Sequence, residues 1–543
     1  MPAFRLDGLD LGLVIAYLVF AVLLGLYYAR RSSSAEGYFL AGRTLTWPAI
    51  GFSLFATQMS ASTLIGLTGS GYASGYVTYV YAWFAAIALI VLALFFLPYY
   101  LKQGLYTLPE YLARRFDGRA RTYHAAISLV GNVLIDMAGA LYAGALLVRL
   151  VLPGVPLWQT IAVMAVLTAL YTVSGGLAAV VATDKVQAVL LLIGTILVAY
   201  FAFAKLGGDW QAVRDVTGAD LRTLIRPADD DVLPWPGLLV GVPLLGFYYW
   251  CANQAVAQRA LAAKTLREGQ YGALFAGLLH LPLIFLLTLP GTAARVLYPD
   301  LADAAAAAGL AGQADRLVFP TLLFDLLPEG VLGLVLAGFV AALMSSIDSA
   351  MNAGSTLATM DFYKRWRPEA SAERLMQVGK LFTFGFAALA AVWAPQIEHF
   401  PSFWDYLQQV LSFITPPVAA CFLLGLFWRR ANAAGAVAGL GIGALVGIGI
   451  LVAQVGLGWW SGLHFLYVAG ILFAVSALAI VVGSLGTAPP AAEQVAGTVW
   501  TRAVLAEADA GDVAAHALPV YKRPVALAIA LLVTSLAVFA YFA

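Results

Sequence analysis

Apolar residues run along this chain in nearly continuous blocks separated by short polar stretches, instead of recurring at the spacing of a helix with one wet face. A helix needs about 20 such residues to cross the hydrocarbon core of a bilayer, and the pattern predicts about fourteen spans on that measure. They lie near residues 11–28, 48–75, 79–100, 124–150, 157–175, 186–205, 236–257, 271–293, 329–355, 376–394, 404–427, 434–455, 463–483 and 524–542. The expected fold class is therefore all-α and polytopic, a single membrane domain over residues 1–543. Three longer connections, near 206–235, 294–328 and the Ala-rich 484–523, have neither the size nor the pattern of a catalytic domain. Glycines concentrate in the second span, as Gly51, Gly66, Gly69, Gly71 and Gly75. In a bilayer they let helices approach closely, or let a helix break where its freed backbone lines a cavity.

Composition agrees with that pattern, because only 11% of residues are charged, against roughly 25% in a soluble domain. A net charge of +1 with no basic stripe argues against a nucleic-acid partner. Cys251 and Cys421 both sit inside apolar runs, which disfavours a disulfide framework or a cysteine zinc site. The first apolar run, Leu11 to Tyr28, is long enough to span and has no basic segment before it, so no cleavable signal peptide is expected. Positive residues are retained on the cytoplasmic side, and about 21 Lys and Arg fall in the inner loops if both termini face outward, against about six in the outer ones. Among them are Arg30, Arg31, Arg43, Lys102, Arg114, Lys264, Arg267, Lys364, Arg502 and Lys522. The expectation is a multi-pass inner (cell) membrane protein, both termini outside the cytoplasm, with 484–523 as a cytoplasmic loop.

Ionisable groups at membrane depth are costly, so Asp136, Asp184, Lys185, His280 and Asp348 each need a reason. Ser345, Asp348, Ser349 and Asn352 recur at steps of three and four and share one helical face. Such oxygens suit a hard cation such as sodium, or alternatively a polar seam between helices. Asp184 is either a stop on an ion path or an interfacial partner of Lys185. Asp136, with Asn132 one turn before it, is a candidate contact for solute hydroxyls or a cation. His280 could be a polar contact or a satisfied core residue. The run Phe247-Tyr248-Tyr249-Trp250 followed by Asn253, Gln254, Gln258 and Arg259 places aromatics beside amides. That combination holds polar rings, although aromatics in membrane helices also serve packing.

Several motifs occur together and in order over roughly residues 36 to 430: Glu36 to Arg43, the Gly-rich second span, Thr107-Leu108-Pro109-Glu110-Tyr111-Leu112, Ser174-Gly175-Gly176-Leu177 with Thr183-Asp184, Tyr248 through Arg259, Ser345 to Asn352, and Phe422 to Trp428. In these the chain resembles the sodium/solute symporter family, and within it the sodium–glucose cotransporter branch. The resemblance implies a LeuT-type fold, with inverted five-helix repeats over 48–205 and 236–427 and binding sites at the midplane beside broken helices. It implies a sodium site made of the backbone carbonyls of Ala56, Met59 and Ala342 and the hydroxyls of Ser345 and Ser346. Asp184 and Asp348 remain candidates for the ion path or a second ion.

For the solute, the resemblance implies Tyr249 as an aromatic gate and Gln408 as a polar sugar contact, with Trp250 and Asn253 beside them. Other sugar contacts of the family are replaced: Ala82 stands for a glutamate, Ala85 for a serine, Thr63 for a glutamine, Gly246 for an asparagine and His280 for a lysine. Gln58, Asp136 and His280 are the polar residues that could rebuild the site. The expected function is sodium-coupled symport of a small polar solute, a sugar or polyol, by alternating access and without an enzymatic step. The alternative is a small carboxylate, amino acid or vitamin-like anion. No kinase-like segment is expected after the last span, which sets a membrane sensor aside.

Overall fold

A computed structural model describes residues 4, 6–29, 35–151, 154–307, 312–400, 403–460, 462–501, 503 and 519–543. Each expected span falls on helix. In chain order these are α1 (Gly8–Ala29), the pair α2 (Trp47–Gln58) and α3 (Ala61–Ser74), α4 (Tyr79–Lys102), α5 (Gly118–Val151) and α6 (Leu157–Leu206). The second half begins with α7 (Trp235–Ala252), α8 (Gln254–Leu261) and α9 (Leu266–Leu297). It continues through α10 (Asp315–Leu326), α11 (Val331–Trp366), α12 (Ala372–His399), the pair α13 (Phe403–Ile414) and α14 (Pro416–Phe427), α15 (Ala433–Gln454), α16 (Phe465–Leu485) and α17 (Pro524–Phe542). Among the described residues, 10 helices are long and apolar enough to cross a membrane, or up to 12 if each bent pair is one span.

Three departures from the sequence expectation have local causes. The spans expected at 157–175 and 186–205 are two helices that meet at a kink at Gly176, whose φ of 59° suits glycine, so the second begins about ten residues earlier than expected. There the chain presses on Tyr38, whose carbonyl oxygen would lie 2.5 Å from an added Cβ. The loops expected at 206–235 and 294–328 carry helices of their own, Trp210–Thr217 and α10. Third, the expected span 404–427 is bent by 50° where Thr415 meets Pro416 and Pro417, because proline removes a backbone donor and cannot continue the preceding helix. Arg30, Arg31, Arg502 and all of 504–518 lie outside the described residues.

The break between α2 and α3 bends the chain by 59°. Its backbone groups are largely satisfied on the spot, as hydrocarbon requires. Met59 N–H donates to Phe55 O at 2.9 Å, the Ser60 hydroxyl caps α3 by accepting from Thr63 N–H at 3.0 Å, and the Thr63 hydroxyl donates to Gln58 O at 2.7 Å. A second break divides α7 from α8 at Asn253, whose side chain accepts from Ala255 N–H at 2.8 Å.

Helices then close on one another through glycine. On α3, a Cβ at Gly71 would overlap the Thr288 carbonyl, and on α9 one at Gly291 would overlap the Thr68 carbonyl. The two backbones are thus in direct contact, which is where small residues gain most in a bilayer. Gly71→Ala and Gly291→Ala are each expected to destabilise the protein by about 1–3 kcal/mol. Gly441→Ala, which meets open space, is the neutral control; thermal unfolding of the three purified variants checks this.

Candidate functional site

The two breaks face a common cavity, with about 100 Å³ open to the centres of water-sized molecules. Gln58, Ser60, Ser62 and Thr63 line it from the first break, and Tyr249, Trp250 and Ala255 from the second. Helix α11 contributes Ser346 and Ser349, α5 contributes Asp136, and α13 contributes Trp404 and Gln408. Three of these residues come from wide helical turns, Asp136 from Asn132–Met137 in α5 and Tyr249 and Trp250 from Tyr248–Ala252 at the end of α7. An extra residue in a turn rotates the following side chains out of register, a device that recurs at functional sites. The Tyr249 and Trp250 rings meet edge to face at 5.2 Å, as do those of Tyr81 and Trp404 at 5.6 Å. Aromatic faces and hydrogen-bonding groups thus share one small chamber.

Beside the cavity lies a buried polar cluster. Asp184 and Arg259 are 0% and 1% exposed and pair at 3.2 Å. Arg259 also donates to Ser53 Oγ at 2.8 Å, to the Ser349 hydroxyl and to the Ala255 carbonyl. Asp184 accepts from Ser345 Oγ at 2.6 Å and from the Ser53 hydroxyl. Asp348 is fully buried next to Ser349, whose hydroxyl donates to it at 3.3 Å. Ser346 donates to Ala342 O at 3.0 Å. A hydroxyl that gives its proton to a carboxylate or carbonyl keeps its lone pairs for a cation. Both Ser345 and Ser346 are in that state, on α11 where it packs against α2, the helix of Ala56 and Gln58.

Several sequence expectations are relocated. Asp184 does not pair with Lys185, which is exposed; its partner is Arg259, because α8 enters beside α6. His280 does not line the cavity. Its Nδ1 bonds the Ala276 carbonyl at 2.7 Å and its ring packs against Trp250 and Phe55, one layer behind the wall. Asn253 is likewise behind the wall, capping α8 and reaching the Asp136 carboxylate. Ser345, unlike Ser346, points away from the cavity toward Asp184. Sequence reasoning passed over Ser53, Ser60, Ser62, Tyr81 and Trp404, ordinary residues in apolar runs. Arg259 carried a signal that went unused, a charge at the end of a buried segment.

Residues 38–443 match the Sodium:solute symporter family. The chain is 34% identical to Sodium/glucose cotransporter 1 of Oryctolagus cuniculus, over 89% of this chain and 80% of that protein. It is 36% identical to the Sodium/myo-inositol cotransporter of Homo sapiens, over 92% of this chain and 76% of that protein. A substrate-bound, outward-open structure of a Na+-coupled sialic acid symporter superposes with a TM-score of 0.76 at 24% identity, over 89% of this chain and 99% of the other. That likeness establishes the LeuT-type fold.

The Asp184–Arg259 pair is measurable without any transport assay. Asp184→Asn and Arg259→Gln are each expected to cost about 3–5 kcal/mol, since each leaves an uncompensated buried charge. The double variant leaves none, so its loss in thermal stability is expected to fall well short of the sum of the two.

Proposed function

We propose, from the premise that the chain belongs to the sodium:solute symporter family and couples sodium entry to solute uptake, that its solute is a neutral polyhydroxylated ring, a hexose or an inositol. The observation that carries this reading is the charge of the chamber wall: Asp136 lines it, and no Lys or Arg is among the lining residues described. An anionic solute would meet a carboxylate with nothing to offset it, and like charges in a low-dielectric site repel strongly. A neutral ring instead stacks its apolar face on Tyr249 and offers hydroxyls to Gln58, Thr63, Asp136 and Gln408. Trp250 lines the same chamber against Tyr249, while Asn253 and His280 act one step removed, Asn253 by holding Asp136 and His280 by backing Trp250.

Sodium is held, in this reading, by the carbonyls of Ala56, Met59 and Ala342 and the hydroxyls of Ser345 and Ser346. The lone pairs left free on both serines support that assignment. Asp184 and Asp348 supply negative charge along the ion route. The inverted repeats comprise 48–205 and 236–427; a broken helix near the start of each supports the division. The termini lie outside the cytoplasm, because Lys264, Arg43 and Lys102 gather on one face. There Lys264 N–H bonds Leu45 O and Gln103 bonds Gly497 of the Ala-rich connection.

One charge moving down ~100 mV releases about 2.3 kcal/mol, and 1.4 kcal/mol is about tenfold in ratio. A single sodium per cycle therefore supports roughly 40-fold accumulation of a neutral solute from the potential alone. In proteoliposomes, a labelled hexose or inositol is expected to enter only under a sodium gradient. Ser346→Ala is expected to raise the sodium concentration for half-maximal uptake by about tenfold, the loss of one ligand. Tyr249→Ala and Asp136→Ala are expected to weaken solute binding by a similar factor at saturating sodium. Sodium-dependent binding of only a monocarboxylate or amino acid, with sugars inert, overturns the solute assignment.

A further inference from the structure

Away from the transport path, the lipid-facing flank carries a groove of about 670 Å³ bounded by the start of α2, by α9 and by α17. Its shape follows from one close contact. At Gly277 helix α9 comes so near α17 that a Cβ would stand 2.9 Å from Leu531, and Trp83 pins α17 there by donating to Ser535 O at 2.8 Å. Toward residues 520–523 the helices part, and the Tyr271 hydroxyl spans the gap to the Lys522 carbonyl at 2.6 Å.

The walls are apolar, chiefly Leu274, Phe275, Leu278, Leu527 and Leu531. From Pro524 to Thr534 the helical wall of the groove runs ~15 Å at 1.5 Å per residue, enough to carry an acyl chain from the interface to the middle of a ~30 Å core. Its mouth has a different chemistry. Trp47, Tyr271 and Tyr521 ring it, and the Lys522 ammonium stands 5.9 Å from the Tyr521 ring centre. Arg523 follows next in the chain. The nearby Glu268 carboxylate accepts from the Trp47 backbone N–H and is not among the residues that line the groove. Amphipathic aromatics mark the headgroup level, and a basic residue there attracts negative lipid.

We infer that this groove binds one anionic phospholipid, its acyl chain between α9 and α17 and its phosphate at Lys522, with Trp47 of α2 forming part of the seat. The occupant is a lipid because the apolar walls open sideways to the bilayer, where Leu278 and Leu527 are exposed. It is anionic because the described charge that lines the mouth is positive. The chain would thereby rest against the first half of a broken helix that lines the transport cavity.

The test uses the full-length protein in liposomes containing brominated phosphatidylglycerol or brominated phosphatidylcholine. Quenching of Trp47 is read as the difference between wild type and Trp47→Phe. Phosphatidylglycerol is expected to reach half-maximal quenching at about one-fifth the mole fraction that phosphatidylcholine needs, the preference one interfacial lysine supplies. Lys522→Gln is expected to erase that preference. Ala530→Phe, at an exposed position in the groove, is expected to abolish Trp47 quenching by both lipids without lowering thermal stability. Equal quenching by the two lipids in the wild type marks ordinary bilayer contact and overturns the proposal. A preference that survives both Lys522→Gln and Ala530→Phe overturns it too.

Discussion

A charge buried without a partner inside a membrane protein costs several kcal/mol, and the centre of this one depends on two that meet. Arg259 and Asp184 would each be intolerable alone. Together, and with three hydroxyls completing their hydrogen bonds, they join four helices that sequence separates widely. Ser53 comes from α2, Asp184 from α6, Arg259 from α8, and Ser345 and Ser349 from α11. Both broken helices are therefore tied to the unbroken ones at a single point, and the position of that point controls what the breaks can do.

The tie lies on one side of the cavity. Ser53 precedes the first break and Arg259 follows the second, so the cluster stands between the chamber and the face where Leu45 and Lys264 are hydrogen-bonded. On the proposed alternating access, a solute leaving toward that face would part α2 and α8 from α6 and α11 and so separate the ion pair. The pair is affordable only while it stays dry, because water would solvate both ions and weaken their attraction. In the proposed reading, a cation arriving near Ser345 and Asp348 would alter the same balance, since it would compete with Arg259 for the field of Asp184. On the proposed sodium assignment, coupling requires no long pathway, because the ligand Ser345 and the Arg259 ion pair share one carboxylate, Asp184.

Fold class was legible because hydrocarbon imposes a simple rule on composition: a run such as Ala433 to Leu451 has one environment available to it. The positions of Ser345, Ser346 and Asp348 on one helix were legible for a similar reason, as polar atoms in an otherwise apolar segment. Partnership was another matter. Lys185 is adjacent to Asp184 in sequence, whereas Arg259 is 75 residues away and reaches it only because α8 begins at an unwound Asn253. His280 read either as a polar solute contact or as a satisfied core residue, and what separates the two is a near acceptor in its own helix, the Ala276 carbonyl one turn back. Contacts across breaks, and bonds within a turn, are set by backbone geometry that periodicity does not encode.

The replaced positions near the solute chamber are physically linked to one another. Gly246 faces the cavity, and a Cβ there would stand 2.5 Å from the Phe84 ring, so any larger residue at 246 requires Phe84 to move. Phe84 is held in turn by its neighbour: Trp83 packs against Phe539 at 4.5 Å and bonds the Ser535 carbonyl, while Ala82 and Ala85 are buried in the helix interface. That flank is closed by packing, and a polar residue introduced at one of its positions would find no partner. Hydrogen-bonding capacity in the chamber comes from other positions, Gln58, Asp136 and Gln408 among them. The ring solute proposed above would meet hydrogen-bonding groups and packed apolar surface in one chamber, and on that reading the several replaced contacts amount to one rearrangement of the wall.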